Sequence, residues 1–266
     1  MAKAGTIRIG IGGWTYAPWR GPFYPDGLAQ KNELAYAASK LTSIEINGTY
    51  YGAQKPATFA KWHDETPDDF VFALKAPRFA TNRRVLAESG QSIERFVTGG
   101  ILELKDKLGP INWQFMATKA FDPDDFAAFL ALLPESHEGR TLRHAVEVRH
   151  PSFACAEFVA LAREHGVAIV LAGDSEYPQI PDATAGFVHA RIMGTAEGEA
   201  LGYGKAALDT WAKRAKALAA GKHAPGLKPV GPGKADGKAR DVFLYVISGH
   251  KVANPAAAQA LIERVG

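Results

Sequence analysis

The sequence predicts an α/β fold of the parallel (β/α)8 kind, and three observations support it. Short runs rich in β-branched and aromatic residues recur along the chain, and helix-like segments separate most of them. The length of 266 residues is close to the roughly 250 of such a barrel. Alternating strands and helices imply parallel strands with right-handed crossovers, which close most economically into a barrel, although an open sheet is the alternative. We therefore predict a single TIM-barrel domain over residues 1–266.

Eight segments have the composition of strands, and helix signals lie between them. The strands are predicted at residues 7–11, 43–46, 70–74, 111–115, 144–148, 168–171, 186–192 and 242–247. Asp122 followed by Pro123 supplies a capping residue and a first-turn proline, and Asn254 with Pro255 does the same for the last helix. Further helices are expected from about residue 152 to 166 and after Gly204.

Residues 220–240 interrupt this alternation. Gly, Pro and Lys dominate the segment, and little apolar periodicity is present. We predict a flexible loop before the last strand, which is either a lid or a solvated insertion.

Composition excludes several classes of protein. The 31 Lys and Arg residues against 28 Asp and Glu leave a net charge of +3, which is too small to indicate nucleic acid or a membrane as an obligatory partner. The single cysteine, Cys155, excludes an intrachain disulfide and fits a reducing compartment. Because no signal sequence or membrane-spanning stretch is recognisable, we expect a cytoplasmic protein, and its oligomeric state is left open.

Polar residues at alternate positions of the predicted strands indicate a site. Alternate side chains of a barrel strand face the interior, and barrel enzymes carry their chemistry at the carboxyl-terminal ends of the strands. This parity brings to one mouth Glu45, Asn47, Lys75, Gln114, Glu147, Arg149, His189 and Arg191, with Asp174 directly after the sixth strand. Buried ions must be paired, so three acids and three bases form either a balanced structural network or an open, wet site.

Aromatic residues follow the first two predicted strands. They are Trp14, Tyr16, Trp19, Tyr50 and Tyr51. Their rings either stack on a sugar or base or simply close the end of the barrel.

Standard cofactor signatures are absent from the sequence. The run Gly10-Ile11-Gly12-Gly13 lacks the third glycine of a dinucleotide fingerprint, and no phosphate-loop or zinc motif occurs. A divalent metal held by Glu45, Glu147, Asp174 and His189 is an alternative. Because Lys75, Arg149 and Arg191 would repel it, we expect no metal and no cofactor.

Several motifs together resemble those of a known family. They are residues 9–25, 44–51, 72–78, 107–110, 147–153 and 184–191, with Trp62 and residues 66–70. In this order they resemble the bacterial and archaeal family catalogued as domain of unknown function seventy-two. The resemblance covers essentially the whole chain and implies a (β/α)8 barrel, but no activity. It matches the site residues Glu45, Asn47, Tyr51, Lys75, Gln114, Glu147, Arg149, His150, Asp174 and Arg191.

The chain departs from the family pattern at three places. Met116 and Ala117 stand where two prolines are usual, and Met193 occupies a polar position. Residues 246–249 replace an aromatic-Asn-Asn ending, so the eighth strand is expected to contribute least to the site.

Three functions are compatible with these residues. The first is a metal-independent hydrolase or lyase for a small anionic or sugar-like substrate, with Glu147 as acid/base, Glu45 as second carboxylate and cations holding the anion. The second is a non-catalytic module that binds an anionic ligand or a single-stranded nucleic acid through the same mouth, using Trp14 and Tyr51. The third is a structural ion network in a protein that acts through its exterior.

Overall fold

A nine-stranded parallel sheet forms the centre of the molecule. The computed structural model describes residues 4–266 of the chain. In them, the sheet contains β1 (Ile7–Gly12), β2 (Ser43–Ile46), β3 (Val71–Lys75), β4 (Leu108–Gln114), β5 (His144–Glu147), β6 (Ala168–Ile169), β7 (Leu171–Gly173), β8 (Phe187–Ile192) and β9 (Asp241–Val246). Their order across the sheet is β6-β5-β4-β3-β2-β1-β9-β8-β7.

The two edges of this sheet are joined by a single residue, Val170. β6 pairs with β5, and β7 pairs with β8. Both pieces together occupy the place of the sixth predicted strand, so the sheet is a near-closed barrel with eight strand positions. The predicted α/β barrel is confirmed, and the ninth strand results from the break at Val170.

Helices surround the barrel. The α-helices are α1 (Glu33–Lys40), α2 (Gly48–Tyr51), α3 (Pro56–Asp64), α4 (Arg78–Thr81), α5 (Gly90–Val97), α6 (Pro123–Ala131), α7 (Ala156–Glu164), α8 (Lys205–Ala219) and α9 (Asn254–Val265). Asp122 caps α6 as predicted, because its Oδ1 accepts a hydrogen bond from the backbone N–H of Asp125 at 3.1 Å. α7 begins later than expected, since Pro151–Phe153 forms a separate 3-10 turn.

One connection departs from the barrel pattern. Between β7 and β8 the described chain contains no helix, and residues 220–240 contain no helix or strand. The carboxylate of Asp182, in the first of these segments, accepts hydrogen bonds from the backbone N–H groups of Val230 and Gly231 at 2.7 and 3.0 Å. A Cβ added to Gly231 would lie 2.5 Å from the side chain of Val159 in α7. Residues 220–240 therefore pack on the wall that lacks its helix.

These contacts lie away from the mouth. Residues 220–240 join the end of α8 to the start of β9, at the amino-terminal end of the strands. A lid over the mouth finds no support in them, and the predicted flexibility of the segment stays a prediction.

Two apolar clusters hold the barrel together. The larger one packs the outward faces of the strands against the helices. The smaller one fills the lower barrel interior and includes Val71, Ala145, Phe187, Phe243 and Tyr245. Since these residues have the same parity as the polar ones above them, the predicted alternation of inward and outward side chains is confirmed.

In the described part of the chain, no helix is both long enough and apolar enough to cross a membrane. The cytoplasmic location stays a prediction.

Candidate functional site

Arg191 lies at the centre of the mouth between two carboxylates. From the end of β8 its Nη2 donates to Oε1 of Glu45 at 3.1 Å, and its Nη1 forms a short hydrogen bond with Oε2 of Glu147. All three side chains are almost completely buried. Strand parity predicted that these three residues, which lie far apart in the chain, would meet in the mouth, and in the structure they are in contact.

Glu147 is surrounded by donors on every side. Its Oε1 accepts from Nε2 of Gln114 at 2.8 Å and from Nε of Arg149 at 2.9 Å. Its Oε2 lies 3.3 Å from Nδ2 of Asn112, and the same amide nitrogen lies 3.4 Å from Oε2 of Glu45. Asn112 links the two carboxylates, and the sequence interpretation missed it. The signal was present, because Asn112 precedes Gln114 by two residues on β4 and has the same parity.

Both carboxylates are held in the ionised form. Burial alone would raise the pKa of Glu45, but the charge of Arg191 and the neighbouring His189 outweigh it and lower this pKa to about 2. Burial likewise opposes ionisation of Glu147, whereas Arg191 and Arg149 lower its pKa to about 2. Neither group therefore holds a proton at neutral pH.

Lys75 is a cation of the mouth that forms no ion pair with Glu45 or Glu147 in the described site. The ion pairs of the described site involve Arg149 and Arg191, and Lys75 joins none of them. Its Nζ lies 4.3 Å from the centre of the Tyr50 ring, over the ring face. Burial and the charge of Arg191 lower its pKa to about 8, although Glu45 and Glu147 act in the opposite direction. Tyr50, one of the aromatic residues noted after the second predicted strand, thus contacts a site residue.

His189 lies below this network. Its Nε2 is 3.4 Å from Oε2 of Glu45, and both ring nitrogens are buried without a well-formed hydrogen bond to the described protein. Its ring packs 5.2 Å from that of Tyr245 in β9, whose hydroxyl bonds with Oγ of Ser43 at 2.8 Å. The last strand therefore lines the interior through Tyr245, which the sequence interpretation did not identify.

Asp174 does not belong to the ion network. Its Oδ2 accepts from Nε1 of Trp211 in α8 at 2.6 Å. Its backbone has a φ of 52°, which turns the chain directly after β7. The prediction that Asp174 is one of three acids in a balanced ion network is therefore wrong. Two carboxylates face three cations in the mouth.

A groove lined by aromatic rings adjoins the mouth. It has a volume of about 470 Å³. Its lining includes Trp14, Tyr16, Trp19, Asn47, Tyr51, Trp62 and Lys251. The ring of Trp14 packs edge to face on Trp62, 5.2 Å away, whereas Tyr51 is 66% exposed. Trp14 therefore forms a wall, and Tyr51 is available to a ligand.

Glycines at the end of β1 make room for one wall of this groove. A Cβ added to Gly12 would lie 2.7 Å from Nδ2 of Asn47. The absence of a side chain at Gly12 thus allows the Asn47 amide to approach the backbone closely.

The remaining predicted residue, His150, lies at the rim. Its Nδ1 bonds with Oγ of Ser152 at 2.8 Å and accepts from the backbone N–H of the same residue. It stabilises the turn after β5 and does not join the ion network. Among residues 4–266, no three His, Cys, Asp or Glu side chains converge in a geometry that would hold a metal ion.

Comparisons with known proteins agree with this architecture. A DUF72 family protein from Thermotoga maritima superposes with a TM-score of 0.71 at 19% identity, covering 97% of both chains. A xylose isomerase-like TIM barrel/4-hydroxyphenylpyruvate dioxygenase fusion protein superposes with a TM-score of 0.50 at 14% identity, covering 98% of this chain and 43% of that one. At these identities the likeness concerns the fold alone.

Sequence comparison leads to the same family. UPF0759 protein YecE of Escherichia coli strain K12 is 29% identical over 150 residues, which are 55% of this chain and 50% of that protein. The chain thus spans about half the length of the curated relatives it matches. The model of the family described as "Protein of unknown function DUF72" matches residues 8–266. The chain therefore belongs to the DUF72 family.

Proposed function

We propose that the mouth is the active site of a metal-independent hydrolase or lyase that acts on a small anionic or sugar-like substrate. The observation that carries this proposal is the unequal charge of the buried network. Glu45 and Glu147 are neutralised by Arg191 and Arg149, and Lys75 remains as an additional buried cation. A buried charge without a partner is costly, so an anionic ligand that supplies the partner is favoured.

Arg149 offers a second contact for the anion. Its Nε and Nη2 bond to Glu147, whereas its Nη1 makes no hydrogen bond within the described chain. Its guanidinium also lies 4.5 Å from the centre of the Tyr177 ring. The group is therefore oriented by the protein and retains a donor for a phosphate or carboxylate.

The two carboxylates have different roles in this proposal. Glu147 accepts hydrogen bonds from four side chains, so it positions Arg149, Arg191 and Gln114. Glu45 has only long contacts at its Oε2, 3.4 Å each to Asn112 and His189. Its Oε2 is thus the carboxylate oxygen with the weaker contacts, so we assign the role of base to Glu45.

The pKa values also narrow the reaction. Glycoside hydrolysis by two carboxylates requires one of them to be protonated as the acid. Since the pKa values of Glu45 and Glu147 are both about 2, neither supplies that acid. This favours lyase chemistry, with a carboxylate base, over hydrolysis of a glycoside.

Metal independence is supported by the position of Arg191. Its guanidinium lies between the two carboxylates and bonds to both. A divalent cation shared by Glu45 and Glu147 would have to displace it.

The test is turnover of candidate substrates by the full chain. Sugar phosphates, glycosides and 2-oxo acids are incubated with the protein after treatment with a chelator, and the products are measured by mass spectrometry. We expect Lys75→Met to abolish turnover and Lys61→Met, at a residue of α3 whose side chain is 63% exposed, to leave it unchanged. Equal rates for both variants would contradict the proposal.

The aromatic groove favours a second candidate, a non-catalytic module for an anionic ligand or a single-stranded nucleic acid. Exposed rings such as Tyr51 stack on bases with little sequence preference. This function requires binding without turnover. If Tyr51→Ala weakens binding of an oligonucleotide about tenfold, as stacking energies of ~1–3 kcal/mol per base imply, and no compound is converted, the second candidate replaces the first.

A further inference from the structure

We propose that Lys75 forms a covalent imine with the carbonyl carbon of its substrate, which makes the substrate a small anionic carbonyl compound such as a 2-oxo acid or a keto sugar phosphate. This inference rests on the proposed function, and it specifies the chemistry of the same mouth.

The surroundings of Lys75 differ from those of a structural buried lysine. Lys107 is 3% exposed and donates to the carbonyl oxygens of His63 and Thr66 and to the hydroxyl of Thr66. Lys75 is 8% exposed, yet its Nζ makes no hydrogen bond within residues 4–266. A buried ammonium that stabilised the fold would be expected to have oxygen partners, as Lys107 has. Lys75 therefore has its amine free at the carboxyl-terminal end of β3.

The Tyr50 ring contacts the Nζ of Lys75 without forming a hydrogen bond to it. The Nζ lies over the face of the ring, 4.3 Å from its centre. A cation–π contact orients the ammonium, but the ring accepts no proton from it. The nitrogen that results from deprotonation keeps its lone pair for attack on a carbonyl carbon.

The charges on the surrounding strands act on the pKa of Lys75 in both directions. Lys75 faces Arg191 of β8 and Arg149 after β5, which lower its pKa, and Glu45 of β2 and Glu147 of β5, which raise it. Burial is the largest influence and lowers the pKa to about 8. A desolvated lysine beside another cation is the arrangement that activates amines for imine formation in proteins.

The reaction balances without any further reagent. The neutral Nζ of Lys75 attacks the carbonyl carbon, and the C–N bond forms while the C=O π bond breaks to give a carbinolamine. The proton given up by the Lys75 ammonium is transferred to the hydroxyl group of the carbinolamine, which leaves as water and gives the protonated imine. The bond between the adjacent carbon and a hydroxyl-bearing carbon then breaks, its electron pair forms an enamine, Glu45 accepts the proton of that hydroxyl, and the fragment leaves as an aldehyde. Glu45 returns this proton to the enamine carbon, water adds to the imine so formed, and cleavage of its C–N bond releases the carbonyl product and the amine. Arg149 holds the anionic group of the substrate through Nη1 during these steps.

The imine is tested by trapping it with borohydride. The full chain is incubated with pyruvate or with dihydroxyacetone phosphate, treated with sodium borohydride at pH 7 and digested for peptide mapping. A pKa of about 8, against the ordinary 10.5, makes the neutral fraction at pH 7 greater by about two orders of magnitude. We therefore expect an adduct on Lys75 and at least a tenfold lower yield on exposed lysines such as Lys61 and Lys205.

Two variants complete the test. Lys75→Arg keeps the positive charge but cannot form an imine, so the adduct should disappear while a thermal shift by inorganic phosphate remains. Labelling spread evenly over the lysines, or no labelling of Lys75 in the wild-type protein, overturns the imine. If the phosphate shift persists in that case, the proposed anion site stands and only the imine fails. If phosphate produces no shift either, both proposals fail.

Discussion

Glu147 has the largest number of hydrogen-bond partners in the site, and it forms ion pairs with two arginines. Glu147→Gln keeps the shape of the side chain but leaves Arg191 and Arg149 with less negative charge in a buried place. We expect a loss of about 3 kcal/mol in the free energy of unfolding, as for other broken buried ion pairs. Urea denaturation measures it, with Glu103→Gln, an exposed residue, as the control. Equal effects of both substitutions would refute the assigned role.

The same carboxylates make stability depend on pH in the acid range. In the unfolded chain a glutamate titrates near pH 4.5, whereas Glu45 and Glu147 have pKa values of about 2 in the folded protein. Their contribution is complete above about pH 4.5 and is lost as the pH falls towards 2, because the unfolded chain binds the protons first. Urea midpoints between pH 2 and 7 should therefore fall steeply on acidification. The double variant Glu45→Gln and Glu147→Gln should show a shallower slope, and an unchanged slope would be evidence against the network.

Individual residues of the site were predictable to the extent that strand parity determines their direction. Parity identified Glu45, Lys75 and Arg191 because these residues lie inside regular strands. The same rule, applied to the residue two positions before Gln114 on β4, would have found Asn112. It failed for Asp174, which follows the strand in a turn with a φ of 52°. Alternation still placed Arg149, two residues beyond β5, but it does not hold where the backbone turns directly after the strand.

At the level of elements, Asp182 holds residues 220–240 against the barrel. Its carboxylate accepts two backbone hydrogen bonds, from Val230 and Gly231. Asp182→Ala should release that contact and increase the rate of proteolytic cleavage within residues 220–240 severalfold, because local opening controls cleavage. Limited proteolysis with mapping of the cut sites is the measurement. Asp68→Ala, at an exposed position, serves as the control, and similar cleavage of both variants would show that Asp182 does not restrain the segment.

Two features of the elements could not be read from the sequence. The apolar run around Val170 looks like one uninterrupted strand, but its two halves pair with different neighbours. The missing helix after β7 is compensated by residues 220–240, which are distant along the chain. Both depend on pairing between separate segments, which local composition does not encode.

On the scale of the whole molecule, alternation of strands and helices predicted a parallel α/β fold and favoured the barrel over an open sheet, and the family resemblance implied the same barrel. The charge of the mouth was harder to predict. Counting acids and bases suggested a balance, whereas Asp174 bonds to Trp211 and Lys75 joins no ion pair of the described site. The balance depends on which side chains meet, and the folded chain determines that.

This excess charge predicts a pH-dependent linkage between anion binding and thermal stability. Sulfate, whose charge is constant above neutral pH, should raise the Tm by binding the folded state. Lys75 has a pKa of about 8, so the Tm shift should be largest below that pH and decline as the pH rises through it, because the site loses its additional cation. Lys75→Arg should retain the shift at pH 9.5, since an arginine stays charged. Lys61→Met should behave like the wild-type protein. If the Tm shift by sulfate does not depend on pH in the wild-type protein, Lys75 does not take part in binding the anion.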